Sequence, residues 1–425
     1  MKKNILVFPC GSEIGLEIYR SLEHSQHFNL IGASSVDDHG RFVYNNYVGN
    51  IPFINDSKLV TSLKAVINTF SIDAIYPAMD EVIFVLKSKE EELGCKVIGS
   101  PAYSTEICYS KAKTYSLFND HLVVNKQFRN IADVEKYPVF LKPDIGYGSR
   151  GTMKIADSKQ LNSALEKSPG SLILEFLPGD EYTIDCFTDR HRTLRFVGPR
   201  KRNRIMNGIS VNTNTFAFEN FQEFYGIAEK INAVLHLRGA WFYQCKRDET
   251  GKLVLMEIAA RLAGSSAVYR CQGVNFGLLS CFDAFDFEVS FVNNKFSVEL
   301  DRALENKYKV DIEYKTVYID LDDTILINGQ VNTTMMKFLY QCLNEGKKLV
   351  LITKHVLDLS ETLNKYRLQN LFDEIVHKEM KMLKHEFCTE PSSIFIDDSF
   401  AERKSVSDNC KIPVFAPDAV ECLLK

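Results

Sequence analysis

The chain has no paired cysteine motif. Its 11 cysteines are odd in number and scattered without a CxxC pair. That leaves no zinc-ribbon spacing and no disulfide framework, and predicts free thiols in a reducing cytoplasm. Charge of one sign is not in excess, since the formal net charge is -4 over 425 residues. No global basic field argues for nucleic acid. Long apolar runs are also missing. The longest, "FGLLSCFDAFDFEVSFV", carries Asp283, Asp286 and Glu288, so no membrane span is expected. The apolar run in "MKKNILVFPCGSE" stops at Pro9, too early for a secretory segment. There is no internal repeat and no low-complexity linker. What remains, 45% hydrophobic and 25% charged residues, is ordinary for globular protein. The length predicts roughly two to four domains.

The order of elements divides the chain. "NILVFP", "FNLIGAS", "IDAIYPA" and "CKVIGS" read as strands, and "GSEIGLEIYRSL" and "DSKLVTSLKAVINTF" as helices between them. Alternating strand and helix predicts a parallel, doubly wound sheet over residues 1–104. The Gly11–Gly15 turn is GxxxG, not GxGxxG. It reads as a tight strand-to-helix turn before it reads as a dinucleotide site. Residues 105–308 change to an α+β style, with a hairpin around "DETG". Residues 309–425 return to alternation, with "TVYIDL", "KLVLIT" and "SIFIDD" as strands of a separate α/β domain.

The middle segment carries a candidate nucleotide grip. "VFLKPDIGYGSRGT" delivers Lys142 from a strand into a loop with Gly146, Gly148 and Gly151. Glycines admit backbone N–H groups close to phosphate oxygens, and a lysine beside them neutralises charge. The bland alternative is a strand-end lysine before a surface loop. Glu175, Phe176 and Leu177 end a second strand, an extended segment able to bond an adenine edge. Glu181 follows a short turn later, placed for ribose hydroxyls, although "PGDE" is also common turn chemistry. Gln244 and Glu257 fall on paired strands and offer oxygen ligands to a hard cation. Arg261 follows, able to hold a transferring phosphoryl group. Arg200, Arg202 and Arg204 alternate along a strand, which predicts one shared face. Guanidinium groups read carboxylate or phosphate, so these are substrate-binding candidates. A solvated basic strand is the alternative.

In this order, residues 1–300 resemble the ATP-grasp superfamily, in particular one half of the carbamoyl-phosphate synthetase large subunit. The resemblance implies a Rossmann-like pre-ATP-grasp domain over 1–104 and an ATP-grasp domain over 105–308. It implies ATP lysines at Lys111 and Lys142, an adenine hinge at Glu175–Leu177 and a ribose acid at Glu181. Gln244 and Glu257 are the implied Mg2+ ligands. The implied activity is an ATP-dependent carboxylate–amine ligase working through an acyl phosphate. One departure stands out. The family reads E-x-N-x-R where this chain has "EIAAR", so Ala259 replaces an amide ligand.

"VYIDLDDTIL" opens the last segment. Asp320 and Asp322 stand two apart at a strand end, and period two predicts one shared side. One can attack a phosphoryl group while the other moves the proton. Asp397, at the end of "SIFIDD", would complete a Mg2+ site with them. Thr353 ends a third strand as a hydroxyl donor. A lysine should balance the charge, with Lys384 preferred over Lys378 and Lys381. This order resembles the haloacid dehalogenase superfamily. The resemblance implies a Mg2+-dependent phosphomonoester phosphatase with an aspartyl-phosphate intermediate. The intervals from Thr324 to Thr353 and from Thr353 to Asp397 leave no room for a large cap domain. The expectation is therefore a bifunctional cytoplasmic enzyme. It uses ATP and Mg2+ and acts on a small carboxylate, an amine and a phosphomonoester, without nucleic acid or membrane partners. Two alternatives stand beside it: a phosphatase with an ATP-binding regulatory module, and an inactive nucleotide-binding scaffold. Nothing in the sequence decides for or against a homo-oligomer.

Overall fold

The computed structural model describes residues 2–146, 150–206, 208–215, 221–377 and 383–425. The chain divides into two compact units, Met1–Leu304 and Glu305–Lys425.

The first unit opens with β1 (Lys3–Phe8), β2 (Phe28–Ala33), β3 (Tyr47–Val48), β4 (Ala74–Pro77) and β5 (Lys96–Val97). They form one sheet in the order β3-β2-β1-β4-β5, parallel throughout. Strand β1 explains why such a run is apolar at nearly every position. Ile5 and Val7 pack with Ile14, Ile18 and Leu22 of the helix Glu13–Leu22. Leu6 and Phe8 pack on the other face with Leu63 and Val66 of the helix Leu59–Phe70. Both faces are covered, so alternation gives way to a continuous run. The strand order reverses between β1 and β4, which leaves a crevice at their C-terminal ends.

The glycine turn after β1 is tight. Ser12 Oγ caps the helix by accepting from Gly15 N at 3.0 Å. A Cβ on Gly15 would meet Cys10 O at 2.5 Å, and one on Gly11 would meet Asp38 Cγ at 2.0 Å. The Asp38 carboxyl fills the space over the turn that a bound phosphate would need.

Two further sheets follow. β6 (Gln127–Phe128), β7 (Val139–Pro143), β8 (Met153–Ile155) and β9 (Ser171–Glu175) pair antiparallel in the order β6-β9-β7-β8. The larger sheet contains β10 (Glu181–Thr188), β11 (Leu194–Met206), β12 (Ile209–Thr215), β13 (Gly239–Arg247), β14 (Leu253–Ala259) and β15 (Val298–Asp301). Its order is β14-β13-β10-β11-β12-β15. Tyr182, Ile184 and Cys186 of β10 pack against Phe224, Ala228 and Ile231 of the helix Phe221–Val234. The opposite side of the sheet is left free to carry polar groups.

The second unit holds β16 (Thr316–Ile319), a small hairpin of β17 (Leu326–Ile327) and β18 (Gln330–Val331), then β19 (Lys348–Thr353), β20 (Glu374–His377), β21 (Ser393–Ile396) and β22 (Val414–Phe415). The main sheet runs β20-β19-β16-β21-β22, again parallel. Val317, Ile319, Leu349 and Leu351 meet Phe338 and Leu339 of the helix Thr333–Asn344. Tyr318, Val350 and Phe395 meet Val406 of the helix Phe400–Cys410 on the other face. β16 is central, so the loop after it lies between the loops after β19 and β21.

Among the described residues, no helix is long and apolar enough to cross a membrane.

Candidate functional site

A cavity of about 640 Å³ lies in the first unit, bounded by the two later sheets and the ends of β1 and β4. Lys111 begins the helix Lys111–Phe118, and its Nζ donates to Asp144 O at 3.0 Å and Gly146 O at 3.3 Å. The same helix start is stitched to the loop after β7, since Ser110 Oγ and Ala112 N both bond the Asp144 carboxylate. Lys142, on β7, lies 3.1 Å from Glu257 Oε2 on β14. Glu257 stands directly opposite Gln244 of β13 in the strand register. Glu175, Phe176 and Leu177 line the cavity where β9 ends, and the Phe176 ring has Lys154 Nζ 4.3 Å from its centroid. Glu181, at the start of β10, is ion-paired with Arg202. Gly148 lies outside the described residues, as do Lys378 and Lys381.

Charge is balanced tightly here. Burial opposes ionisation of Glu257, but Lys142 and then Lys111 outweigh it and hold its carboxyl down at about 2. Burial lowers Lys111, against the pull of Glu257. Arg261 stacks over the Phe242 ring at 5.1 Å and pairs with Asp80 at 2.8 Å. Burial works against its charge and Asp80 more than restores it. Arg200 Nη1, Arg202 Nε and Arg261 Nε are buried without a hydrogen-bond partner. Orphaned donors on three cavity-lining cations call for an anion. With two lysines and the hard oxygens of Gln244 and Glu257, this donor set fits a magnesium–triphosphate group.

The structure corrects the expectation for the arginines. Arg200 and Arg202 line the cavity, but Arg204 does not. The pairing of β11 with β12 slips between Arg202 and Arg204, and again after Arg204. Those bulges break the two-residue alternation that would have put all three side chains on one face. Arg204 is 55% exposed and bonded to Asp301. Arg200 is itself tied to Asp185 at 2.6 Å, and both are almost fully buried. Arg204→Ala should therefore leave nucleotide binding within about twofold, as for other exposed ion pairs, measured by calorimetric titration.

Three contributors escaped sequence reading. Asp80 pairs with Arg261, and Glu13 pairs with Arg302 at 2.8 Å; Glu13, Asp80 and Arg302 all line the cavity. Glu13 and Asp80 sit in the first turns of the helices that follow β1 and β4. An acidic residue at each helix start beside a strand-order reversal was the available signal. Ala259 is buried with Phe242 and Ala263 in a small apolar cluster.

The second unit gathers its acids at the C-terminal ends of two neighbouring strands, β16 and β21, with Thr353 at the end of β19 beside them. Lys384 Nζ lies 2.8 Å from Asp320 Oδ1 and 2.7 Å from Asp397 Oδ2. All three residues are buried. Burial raises Asp320 to about 6, with Lys384 opposing and Asp397 adding to the rise. Burial raises Asp397 as well, against Lys384. Lys384 is raised, because Asp320 and Asp397 overcome its burial. Thr353 ends β19 fully buried.

Asp322 departs from expectation. Strand β16 ends at Ile319, so the two-residue pleat does not by itself set where Asp322 points. Its carboxylate instead faces His355 Nδ1 at 2.9 Å. Among the described residues, the carboxylate oxygens within 4.8 Å of one another belong to Asp320, Asp397 and Asp398, and this set, without Asp322, could hold a metal ion. Three carboxylates this close together, two of them buried, offer the hard oxygen donors that fit Mg2+.

Comparison with known proteins bears on the first unit. A family model described as "ATP-grasp in the biosynthetic pathway with Ter operon" matches residues 167–300. A D-alanine–D-alanine ligase of Fusobacterium nucleatum is 24% identical over 156 residues, covering 35% of this chain and 54% of the ligase. The chain thus spans about half the length of that curated relative. The biotin carboxylase domain of Hydrogenobacter thermophilus 2-oxoglutarate carboxylase, solved with MgADP, ADP and bicarbonate, is similar with a TM-score of 0.58 and 15% identity, over 69% of this chain and 72% of that one. The L-amino acid ligase of Bacillus licheniformis is similar with a TM-score of 0.54 and 19% identity, over 67% of this chain and 74% of that one. The first unit has the ATP-grasp fold.

Proposed function

We propose that the chain is a bifunctional enzyme. In this reading residues 1–104 form the Rossmann-like pre-ATP-grasp domain, 105–308 the ATP-grasp domain and 309–425 a capless haloacid dehalogenase-like domain. The first unit acts as an ATP-dependent carboxylate–amine ligase. The observation that carries this is the convergence of Lys111, Lys142, Gln244 and Glu257 on one cavity with three orphaned arginine donors. Lys111 and Lys142 neutralise phosphate charge, Glu175–Leu177 holds the base, and Glu181 meets the ribose once Arg202 yields. Arg200, Arg202 and Arg261 hold the anionic carboxylate and the phosphoryl group passing to it. An amine then attacks the acyl phosphate and phosphate leaves. Magnesium, when bound by Gln244 and Glu257, shields the charge between phosphates. The ligase name of the curated relative and the amino-acid ligase among the similar folds favour this chemistry over carboxylation. The test supplies ATP, Mg2+, a panel of carboxylates and hydroxylamine as a stand-in amine. Hydroxamate and ADP should form in equal amounts with at least one carboxylate. ATP binding without ADP from any member would leave the regulatory reading instead.

Ala259, buried beside Phe242, has no side-chain oxygen to offer a metal ion. We expect one Mn2+ per bound non-hydrolysable ATP analogue by electron paramagnetic resonance titration. Two would mean that another residue replaces the missing amide.

For the second unit the reading is phosphomonoester hydrolysis. Asp320 attacks phosphorus, and Asp322 gives a proton to the departing oxygen. Asp322 then takes a proton from the water that cleaves the aspartyl phosphate. Lys384 and Thr353 hold the phosphoryl oxygens and the nucleophile in place. Asp320, Asp397 and Asp398 would hold Mg2+, which offsets phosphate charge when bound. The carrying observation is Lys384 between two buried aspartates. Magnesium-dependent release of p-nitrophenol from p-nitrophenyl phosphate tests it; no release in wild type would remove it.

A further inference from the structure

His355 makes a contact that neither site uses so far. Its Nδ1 lies 2.9 Å from both oxygens of Asp322, and its Nε2 lies 2.8 Å from Thr362 Oγ1. The backbone is held as well. His355 N donates to Thr353 Oγ1 at 3.2 Å, and His377 Nε2 donates to His355 O at 2.8 Å. The His355 side chain is 8% exposed and that of Asp322 is 50% exposed. The ring is fixed on every side, while the carboxylate it holds faces open space. That space is a cavity of about 510 Å³, lined by Asp322, His355, Leu357, Thr362 and Tyr366 among others.

The hydrogen-bond inventory sets the direction of the chain. An ionised Asp322 only accepts, and once one of its oxygens is protonated the other still accepts, so in both states the nitrogen facing it can carry a proton. The Thr362 hydroxyl can then donate to Nε2, which fixes that tautomer. The helix Leu359–Lys365 positions Thr362, and Asp358 caps that helix by accepting from Glu361 N at 2.8 Å. Thr362, His355 and Asp322 thus form a relay of orientation running from a capped helix to one carboxyl group.

We propose that His355 is a positioning residue for Asp322 and that the adjoining cavity receives the leaving group of the phosphomonoester. This rests on the phosphatase reading. In the first step a bond forms from Asp320 Oδ to phosphorus and the bond from phosphorus to the leaving oxygen breaks. The electron pair goes to that oxygen, which takes the proton from Asp322. His355 keeps its own proton and aims the carboxyl. A leaving oxygen that departs as a stable anion needs this proton little, and an alkoxide needs it fully.

The test uses the full chain with Mg2+ and two substrates, p-nitrophenyl phosphate and glycerol 2-phosphate. The readout is kcat/KM, which reports departure of the leaving group. His355→Ala should lower kcat/KM about tenfold or more on the alkyl ester and less than about threefold on the aryl ester. His355→Asn, which keeps an N–H near the Nδ1 position, should recover most of the loss. On an Asp322→Asn background, His355→Ala should cost less than about twofold further, since the two act as one unit. If His355→Ala does not fold, Thr362→Val should show the same selectivity for the alkyl ester to a smaller degree. Equal losses on both substrates, or full additivity with Asp322→Asn, would overturn the proposal and leave the phosphatase standing. A wild-type chain that hydrolyses neither ester would remove the phosphatase reading and the proposal with it.

Discussion

Glu257→Gln should abolish ADP formation and also weaken the fold, with the second effect depending on pH. Glu257 faces Gln244 across β13 and β14 and lies 3.1 Å from Lys142. Its loss removes the charged ligand proposed for Mg2+ and leaves Lys142 and Lys111 without their shared counter-charge. Turnover should fall at least about 100-fold, the scale for losing one preorganised electrostatic contact in a transition state. The carboxyl is held at about 2 in the folded chain against an ordinary 4.5. The native state therefore binds the proton more weakly than the unfolded state. That difference contributes up to about 3 kcal/mol at neutral pH, fully present above about 4.5 and lost as pH falls toward about 2. Urea unfolding of wild type and Glu257→Gln should show a gap at pH 7 that narrows by pH 3.5. A gap that stays constant with pH would show that Glu257 stabilises through shape and not charge.

Lys384→Met and Asp320→Asn should both end the proposed phosphatase activity while moving stability in opposite directions. Lys384 is buried between Asp320 and Asp397. Removing its charge leaves two buried acids facing each other, which should cost about 3–5 kcal/mol. Asp320 is the reverse case. Burial lifts it from 3.8 to about 6, so the folded chain binds its proton more tightly than the unfolded chain. Stability falls as pH rises from about 4 to about 6, and above that the charged form is held at a constant cost. Asp320→Asn removes the cost, with a gain of up to about 3 kcal/mol at pH 7 in metal-free buffer. Lys384 keeps Asp397 as its partner. Differential scanning calorimetry with chelator present should put the Tm of Asp320→Asn above wild type and that of Lys384→Met below it. Both variants falling below wild type would mean that Asp320 is retained for structure.

Strand ends were the legible part of this sequence. Apolar runs that stop at Asp320, Thr353 and Asp397 form neighbouring strands, because a parallel sheet covered on both faces makes such runs conspicuous. Gln244 and Glu257 fall on the two strands of one short hairpin, and a bulge beside Gln244 brings them opposite each other. What sequence could not supply was irregularity and distance. The bulges in β11 turn Arg204 out to Asp301, and no residue type in "RKRNRIM" announces them. Arg302 reaches Glu13 across nearly the whole first unit. Asp322 lies beyond the end of its strand, where period-two reasoning no longer applies, so Asp398 joins the acidic set in its place. His355 stood two residues past a recognised threonine, yet its meaning depends on Thr362 and Asp322, which only the fold brings to it.

The central claim is that one chain carries two separable active sites. The most direct measurement crosses Glu257→Gln and Lys384→Met against two assays on the same preparations: ADP release with the carboxylate panel and an amine, and Mg2+-dependent hydrolysis of p-nitrophenyl phosphate. Glu257→Gln should lose ADP release and keep ester hydrolysis, and Lys384→Met should do the reverse. Loss of both activities in either folded variant, or ADP release that survives Glu257→Gln, would contradict it.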